Sequence, residues 1–314
     1  MCMLKGQIAK RLLQIIMVLL GISLMSFLLI YLAPGDPVRA MFAVSGSIPS
    51  EEVLEQMREE MGLNQPFWIQ YGTWLLKCLQ GDFGISYSQG KPVSQLLAIK
   101  VMPTLQLASL SLVLMLIMAV PLGALSALYQ NRPLDYIIRG GTFFGISMPN
   151  FWVGLLLLYF VALKLGLLPV VSTGMGLKKM LLPAFTLAFA MAGKYARQVR
   201  AAILEEMNQD YVYGALARGL SESTVLWRHI IPNAMLPLLT MLGLSLGSLL
   251  GGTAVVEVIF SYPALGKLAI SAITSMDYPL IQGYVLWIAL IYMLVNLAVD
   301  ISYSFLDPRL RKGV

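Results

Sequence analysis

Long apolar blocks separated by polar segments set the first reading of this chain. A helix advances about 1.5 Å per residue, so crossing a hydrocarbon core of about 30 Å takes roughly 20 apolar residues. Six blocks meet that length: 12–33, 104–129, 142–165, 180–196, 235–257 and 281–306, the fourth short and broken by Pro183. The pattern predicts an all-α membrane protein with six transmembrane helices. The first block follows Lys5, Lys10 and Arg11 but is too long for the core of a signal peptide, and Ala33-Pro34-Gly35 is a poor cleavage site, so a retained helix is expected.

The polar segments divide the chain further. Residues 1–33 form a tail and the first span, 34–102 a small helical insertion, 103–306 the core with helices 2–6, and 307–314 a second tail. In the insertion, Ser50 followed by Glu51, Glu52, Val53, Leu54 and Met57 predicts an N-capped amphipathic helix ending at Gly62. A second helix is expected over 64–79, with Phe67, Tyr71, Trp74 and Leu75 on one face, suited to a membrane interface. The other long loop, 197–233, carries two short helices. Asp210 can cap one running through Tyr211, Val212, Ala215 and Leu216 to Gly219, and Ser221 can cap another with Val225, Leu226 and Ile230, stopping at Pro232. The fifth span has Gly243, Gly247 and Gly251 at four-residue spacing, a smooth face for close helix packing.

Composition narrows the class. Of 314 residues 58% are apolar and 12% charged, with mean hydropathy +0.77, whereas globular domains average about 25% charged. The net charge of +6 is spread among the loops rather than gathered in an aromatic-interleaved stripe, so no nucleic-acid partner is expected. Placing the N-terminus inside gathers Lys5, Lys10, Arg11, Arg132, Arg139, Lys194, Arg197, Arg200, Arg218, Arg228, Arg309, Arg311 and Lys312 on the inner side. The short outer loops then hold Lys164, Lys178, Lys179 and Lys267, so both termini are expected in the cytoplasm and the insertion outside.

Catalytic chemistry is not legible. No glycine-rich loop ends in Lys and Ser or Thr to cradle phosphates, and the single histidine, His229, excludes a His-based triad and a His-rich metal site. Cys2 and Cys78 build no disulfide framework. The chain is expected to be no enzyme and to bind neither cofactor nor metal. Ionisable residues inside spans are costly and mark pathways, and Glu257, Asp300 and Lys194 all lie near span ends. Glu257, with Asn150 and Phe151, is a candidate gate or pathway residue.

The loop from Asp210-Tyr211-Val212-Tyr213-Gly214-Ala215-Leu216-Ala217-Arg218-Gly219-Leu220 to Pro232-Asn233 resembles the ATPase-coupling loop of ABC importer permeases, whose signature has a Gly followed thirteen residues later by Pro. Gly219 and Pro232 keep that spacing, while Tyr213 replaces the consensus Glu and His229 a usual aliphatic residue. Pro34-Gly35-Asp36-Pro37, Gly62-Leu63-Asn64-Gln65-Pro66, Gly81-Asp82-Phe83-Gly84-Ile85-Ser86, Ser147-Met148-Pro149-Asn150-Phe151-Trp152, Asp277-Tyr278-Pro279 and Leu306-Asp307-Pro308-Arg309 narrow the resemblance to dipeptide, oligopeptide and nickel permeases; Ala264 departs from their usual Gly.

That resemblance implies type I ABC importer permease architecture in the bacterial inner membrane. It implies a second homologous permease, two ABC ATPase subunits that bind ATP and Mg, and an extracytoplasmic substrate-binding protein. Asp210, Tyr211, Ala215, Gly219, Leu220 and Pro232 would form the coupling loop. Gln70-Tyr71-Gly72-Thr73-Trp74 and 147–152 look closest to nickel-type members, which leans the cargo toward nickel or a metal chelate, with di- or oligopeptides as the alternative. A standalone secondary transporter, which would show matched broken helices in two halves, is the competing class.

Overall fold

A computed structural model describes the backbone of residues 2–45, 49–172 and 176–306; the side chains of 2–10, 43–45, 236–240, 244, 248, 250–252 and 300–306 are outside the described set. The expected tail 307–314 also lies outside it. Among the described residues the chain is helical, with one isolated bridge between Ile85 and Pro92.

Helix α1 runs over Cys2–Tyr31 and is followed by α2, Pro37–Ser45, at whose start Asp36 Oδ1 accepts the Val38 N–H at 3.0 Å. Helix α3, Glu51–Glu60, follows Ser50 as expected, but the serine side chain makes no cap hydrogen bond. Gly62 ends the segment at φ +70°, a left-handed conformation that glycine adopts without strain. Helix α4, Phe67–Leu79, starts three residues later than the sequence suggests, because Pro66 disfavours helical backbone at Gln65. Helix α5, Val93–Leu128, extends the second apolar block backward, since Val93, Leu96 and Leu97 add a buried face to otherwise polar turns.

Helices α6, Pro133–Ser147, and α7, Asn150–Leu157, correct the expectation of one straight third span. Pro149 has no N–H to give and holds Met148 extended at φ −85°, ψ 130°, so the chain turns by 100° before a π-helical segment, Leu158–Lys164, completes it. Helix α8, Leu177–Met207, runs unbroken through Pro183, sacrificing one backbone bond near its start rather than ending there. The short helices α9, Asp210–Ala217, and α10, Glu222–Val225, precede a π-helical segment, Leu226–Ile230, and α11, Ile231–Gly252. Helices α12, Ala254–Ile259, α13, Leu265–Thr274, and α14, Tyr278–Leu306, complete the chain.

Among the described residues, three helical stretches are long and apolar enough to cross a bilayer: Arg11–Tyr31, Val93–Leu128 and Tyr278–Val299. The bent α6–α7 pair is a fourth if counted as one broken span. The other two expected spans fall on α8 and on α11 with α12. Helix α8 carries seven charges, Lys178, Lys179, Lys194, Arg197, Arg200, Glu205 and Glu206, more than an apolar window tolerates.

The chain divides into two compact units, Met1–Thr104 with Ala264–Leu294 and Leu105–Pro263 with Val295–Val314. In the first, Val93, Leu96, Leu97, Leu265, Leu268, Ala272 and Leu280 form a buried cluster. The aromatic face of α4 packs on α1: Phe27 lies 5.6 Å from Phe67, 5.6 Å from Tyr71 and 5.3 Å from Trp74 between ring centroids. Protein, rather than lipid alone, therefore covers that face. In the second unit, α8 is the central helix and packs on α6, α7 and α11.

Candidate functional site

The second unit holds the loop that the sequence singled out. Residues Val212 and Ala215 of α9 turn inward, joining Val225 and Ile230 in a core shared with Ala127 of α5, Val199 and Ile203 of α8 and Ala234 of α11. Burial of Val212 and Ala215 is what holds this short helix in place, because an isolated helix of eight residues is unstable in water. The opposite faces stay exposed, with Tyr211, Tyr213, Leu216, Leu220 and Trp227 projecting from the protein. A short amphipathic pair so presented offers apolar and aromatic groups to a groove on a partner.

Local bonding fixes that surface. The residue preceding α9 is Gln209, so Asp210 occupies the first turn rather than the cap, where its carboxylate still faces the positive end of the helix. The Tyr211 hydroxyl donates to Glu206 Oε2 at 2.6 Å and accepts from Asn233 Nδ2 at 3.3 Å, tying α9 to the end of α8 and the start of α11. Burial pushes the Tyr211 phenol up, so it stays a neutral donor. Gly219 takes φ +82° and donates its N–H to the Leu216 carbonyl at 2.9 Å, closing α9 with a turn that a side chain would strain. Ser221 Oγ accepts the Thr224 N–H at 3.3 Å, the cap expected for the second short helix. That helix does not stop at Pro232. The wider π-helical turn of Leu226–Ile230 leads directly into α11, where Pro232 sits in the first turn, and the widened turn accommodates the proline that lacks an N–H.

The remaining candidate residues lie elsewhere in the unit. Asn150 and Phe151 begin α7 at the 100° bend, both exposed, with Phe151 at 48%. Glu257 on α12 is fully buried and accepts from Thr253 Oγ1 at 2.6 Å. Gly243 faces Val299 of α14, leaving no room for a side chain, and Gly247 is buried on the same helix; the side-chain surroundings of Gly251 lie outside the described residues. Among the described residues no three His, Cys, Asp or Glu side chains gather as a metal site.

Two features were not read from the sequence. Asp135 of α6 is fully buried, receiving Arg200 Nε at 2.9 Å, Arg200 Nη2 at 2.8 Å, Ser126 Oγ at 2.5 Å and the Asn131 N–H at 3.0 Å. This bidentate clasp fastens the turn between α5 and α6 to α8. Helix α8 also approaches its neighbours through glycines outside the expected Gly243 series. A Cβ at Gly123 would lie 2.6 Å from the Ala196 carbonyl oxygen, and one at Gly193 would lie 2.7 Å from that of Thr142. Arg200 was read only as an inner-side charge and Asp135 not at all, and their 65-residue separation hid the pairing.

Known proteins carry the same pattern. Residues 119–312 match the family described as binding-protein-dependent transport system inner membrane component, and residues 3–108 match the corresponding N-terminal membrane-component family. The chain is 35% identical over 327 residues to the "Probable D,D-dipeptide transport system permease protein DdpB" of Escherichia coli strain K12, covering 95% of each. It is 37% identical over 304 residues to the glutathione transport system permease protein GsiC of the same strain, covering 97% of this chain and 98% of the relative. A structure of the MetNI methionine ABC transporter in inward-facing conformations aligns with TM-score 0.56 and 20% identity over 68% of this chain and 97% of that one, a likeness of fold. The chain belongs to the binding-protein-dependent transport system inner membrane component family and is a permease subunit of an ABC importer.

Proposed function

We propose that this permease carries short peptides, of the size of a dipeptide or of glutathione, into the cell. The observation that supports this most is the full-length similarity to permeases named for a dipeptide and for glutathione, at 35% and 37% identity. The nickel or metal-chelate reading rests on two short stretches, 70–74 and 147–152, and has no comparable support. In this reading the chain has six spans, both termini are cytoplasmic, and the insertion 34–102 faces outward, consistent with the distribution of Lys and Arg.

A second related permease completes the channel, and two ATPase subunits supply ATP and Mg binding. Helices α9 and α10 insert their exposed aromatic and apolar faces into those subunits, with Tyr211, Gly219 and Leu220 at the contact and Asp210, Ala215 and Pro232 setting its shape. Closure of the ATPases pushes on α9, and its shared core with α8 passes the push to the membrane helices. Asn150 and Phe151 at the α6–α7 bend, with Glu257, gate the path, and Gly243, Gly247 and Gly251 keep α11 close to its neighbours.

The test is the complete transporter in proteoliposomes, with the binding protein loaded in turn with dialanine, glutathione or a nickel chelate. ATP hydrolysis and uptake stimulated by a peptide are the expected result. Stimulation by the nickel chelate alone overturns the peptide cargo, and uptake without any ATPase subunit overturns the importer mechanism in favour of a standalone transporter.

A further inference from the structure

A cavity of about 530 Å³ opens within the first unit, bounded by the end of α1, by α4, by residues 61–65 and by the start of α14. Its walls are aromatic, with Phe27, Tyr31, Trp74 and Phe83 among them. Some of its polar groups are already satisfied: Arg58 is bonded to Asp36 and Glu55, and Asp82 Oδ1 accepts the Gly84 N–H at 2.9 Å. Gln282 differs. It lines the cavity, is 7% exposed, and its side chain has no hydrogen-bond partner among the described residues. Among the described residues the one sealed and unpaired side-chain atom is Gln198 Oε1, so the Gln282 amide reaches the open space of the cavity, where it can pair with what enters.

The chemistry of the cavity selects the occupant. A primary amide presents a donor beside an acceptor, the complement of a peptide unit. Aromatic walls accept side chains, and the volume lies within the range of small-molecule sites. Lys77 and Asp82 add one charge of each sign, suiting a molecule with an ammonium and a carboxylate. Burial holds the Tyr87 phenol, also on the wall, up to about 12, so it adds a neutral hydroxyl.

We propose that this cavity is a cargo site on the permease itself, binding a short zwitterionic peptide with Gln282 paired to a peptide unit; the proposal rests on the peptide-cargo reading above. The site would hold peptide without help from the binding protein.

The experiment uses the complete transporter in nanodiscs, without binding protein, and measures equilibrium binding of radiolabelled trialanine and glutathione. Saturable binding of at least one is expected. Gln282→Leu should weaken it about three- to tenfold, the loss of one or two neutral hydrogen bonds. Thr73→Trp, which fills the cavity from α4, should abolish it; copurification of the ATPase subunits reports that each variant is folded and assembled. Absence of saturable binding by the unaltered complex, or equal binding by both variants, overturns the proposal. Variants that keep peptide binding but lose affinity for the binding protein also overturn it, by making the cavity a docking site. Binding-protein-dependent uptake of the same peptides, measured in parallel, separates the two readings: uptake without direct binding removes this site alone, while no peptide uptake removes the cargo assignment.

Discussion

Two carboxylates, both fully buried, are satisfied in opposite ways. In the second unit Asp135 meets a guanidinium, two of its four donors coming from Arg200. In the first unit Asp277 meets neutral donors: Ser86 Oγ at 2.6 Å, Ser88 Oγ at 2.7 Å, the Ser88 N–H at 3.0 Å and the Leu280 N–H at 3.3 Å. The first arrangement joins two helices by charge, and the second fastens a loop, 86–88, to the start of α14 by hydrogen bonds. Removing one partner from a charge pair strands the other charge in a poor dielectric, whereas removing one of several neutral donors leaves a smaller debt. The comparison teaches that equal burial does not mean equal sensitivity.

The largest expected effect is at the charge pair. Asp135→Leu should destabilise the second unit by about 3 kcal/mol or more, because Arg200 is left unpaired. The double variant Asp135→Leu/Arg200→Leu should recover a substantial part of that loss, which thermal unfolding of the purified complex followed by tryptophan fluorescence would show. If the double variant is as damaged as the sum of the singles, the clasp contributes through packing rather than charge.

At Asp277 the isosteric change Asp277→Asn should cost less than Asp135→Asn, since the amide oxygen still accepts from Ser86 and Ser88. Equal losses in the same unfolding assay would erase the distinction drawn between the sites. Gly123→Ala tests the other support of α8: a methyl group 2.6 Å from the Ala196 carbonyl must push backbone, and roughly 1–3 kcal/mol is the usual cost of such overpacking. The readout there is the midpoint of unfolding together with ATP hydrolysis stimulated by loaded binding protein, since α8 leads to α9. Ser88→Ala, removing one of several donors to Asp277, should cost only about 1 kcal/mol.

The smallest effect concerns a partly buried carboxylate near the surface. Partial burial pushes the Asp36 carboxyl up, but hydrogen bonds from Arg58 and the Val38 N–H outweigh it, and the group lies below its ordinary value. A depressed folded value means the stabilisation is present above the unfolded value and fades as the pH falls through the folded one. Unfolding midpoints of the native chain and Asp36→Asn should therefore differ most at neutral pH and converge in acid. High salt should shrink the difference, because the pair is near the surface.

Much of the loop over 210–233 was legible because its signals are local. Spacing alone placed two short helices after residue 209, Gly219 at the turn and Ser221 at a cap, since each depends on neighbours within four residues. The sequence misread Pro232 for the same reason: a proline ends a helix in general, and only the π-helical turn before it lets the chain continue. The straight third span failed in the converse way, with Pro149 counted as one residue of an apolar block although its ring dictates the backbone of Met148. Residues far from one another in sequence, Asp135 and Arg200, or Gln282 and the aromatic walls of the cavity, carried no local mark of their association.

The sequence by itself determined that this is a helical membrane protein, because the length and apolarity of a segment fix whether water or lipid can solvate it. It also determined the two short amphipathic helices after residue 209, whose period is written into residues 210–230. Tertiary structure alone decided which charges are buried against a partner, which glycines allow helices to touch, and which amide lines a cavity. Those depend on distances between residues remote in the chain, and such distances exist only after the helices have packed.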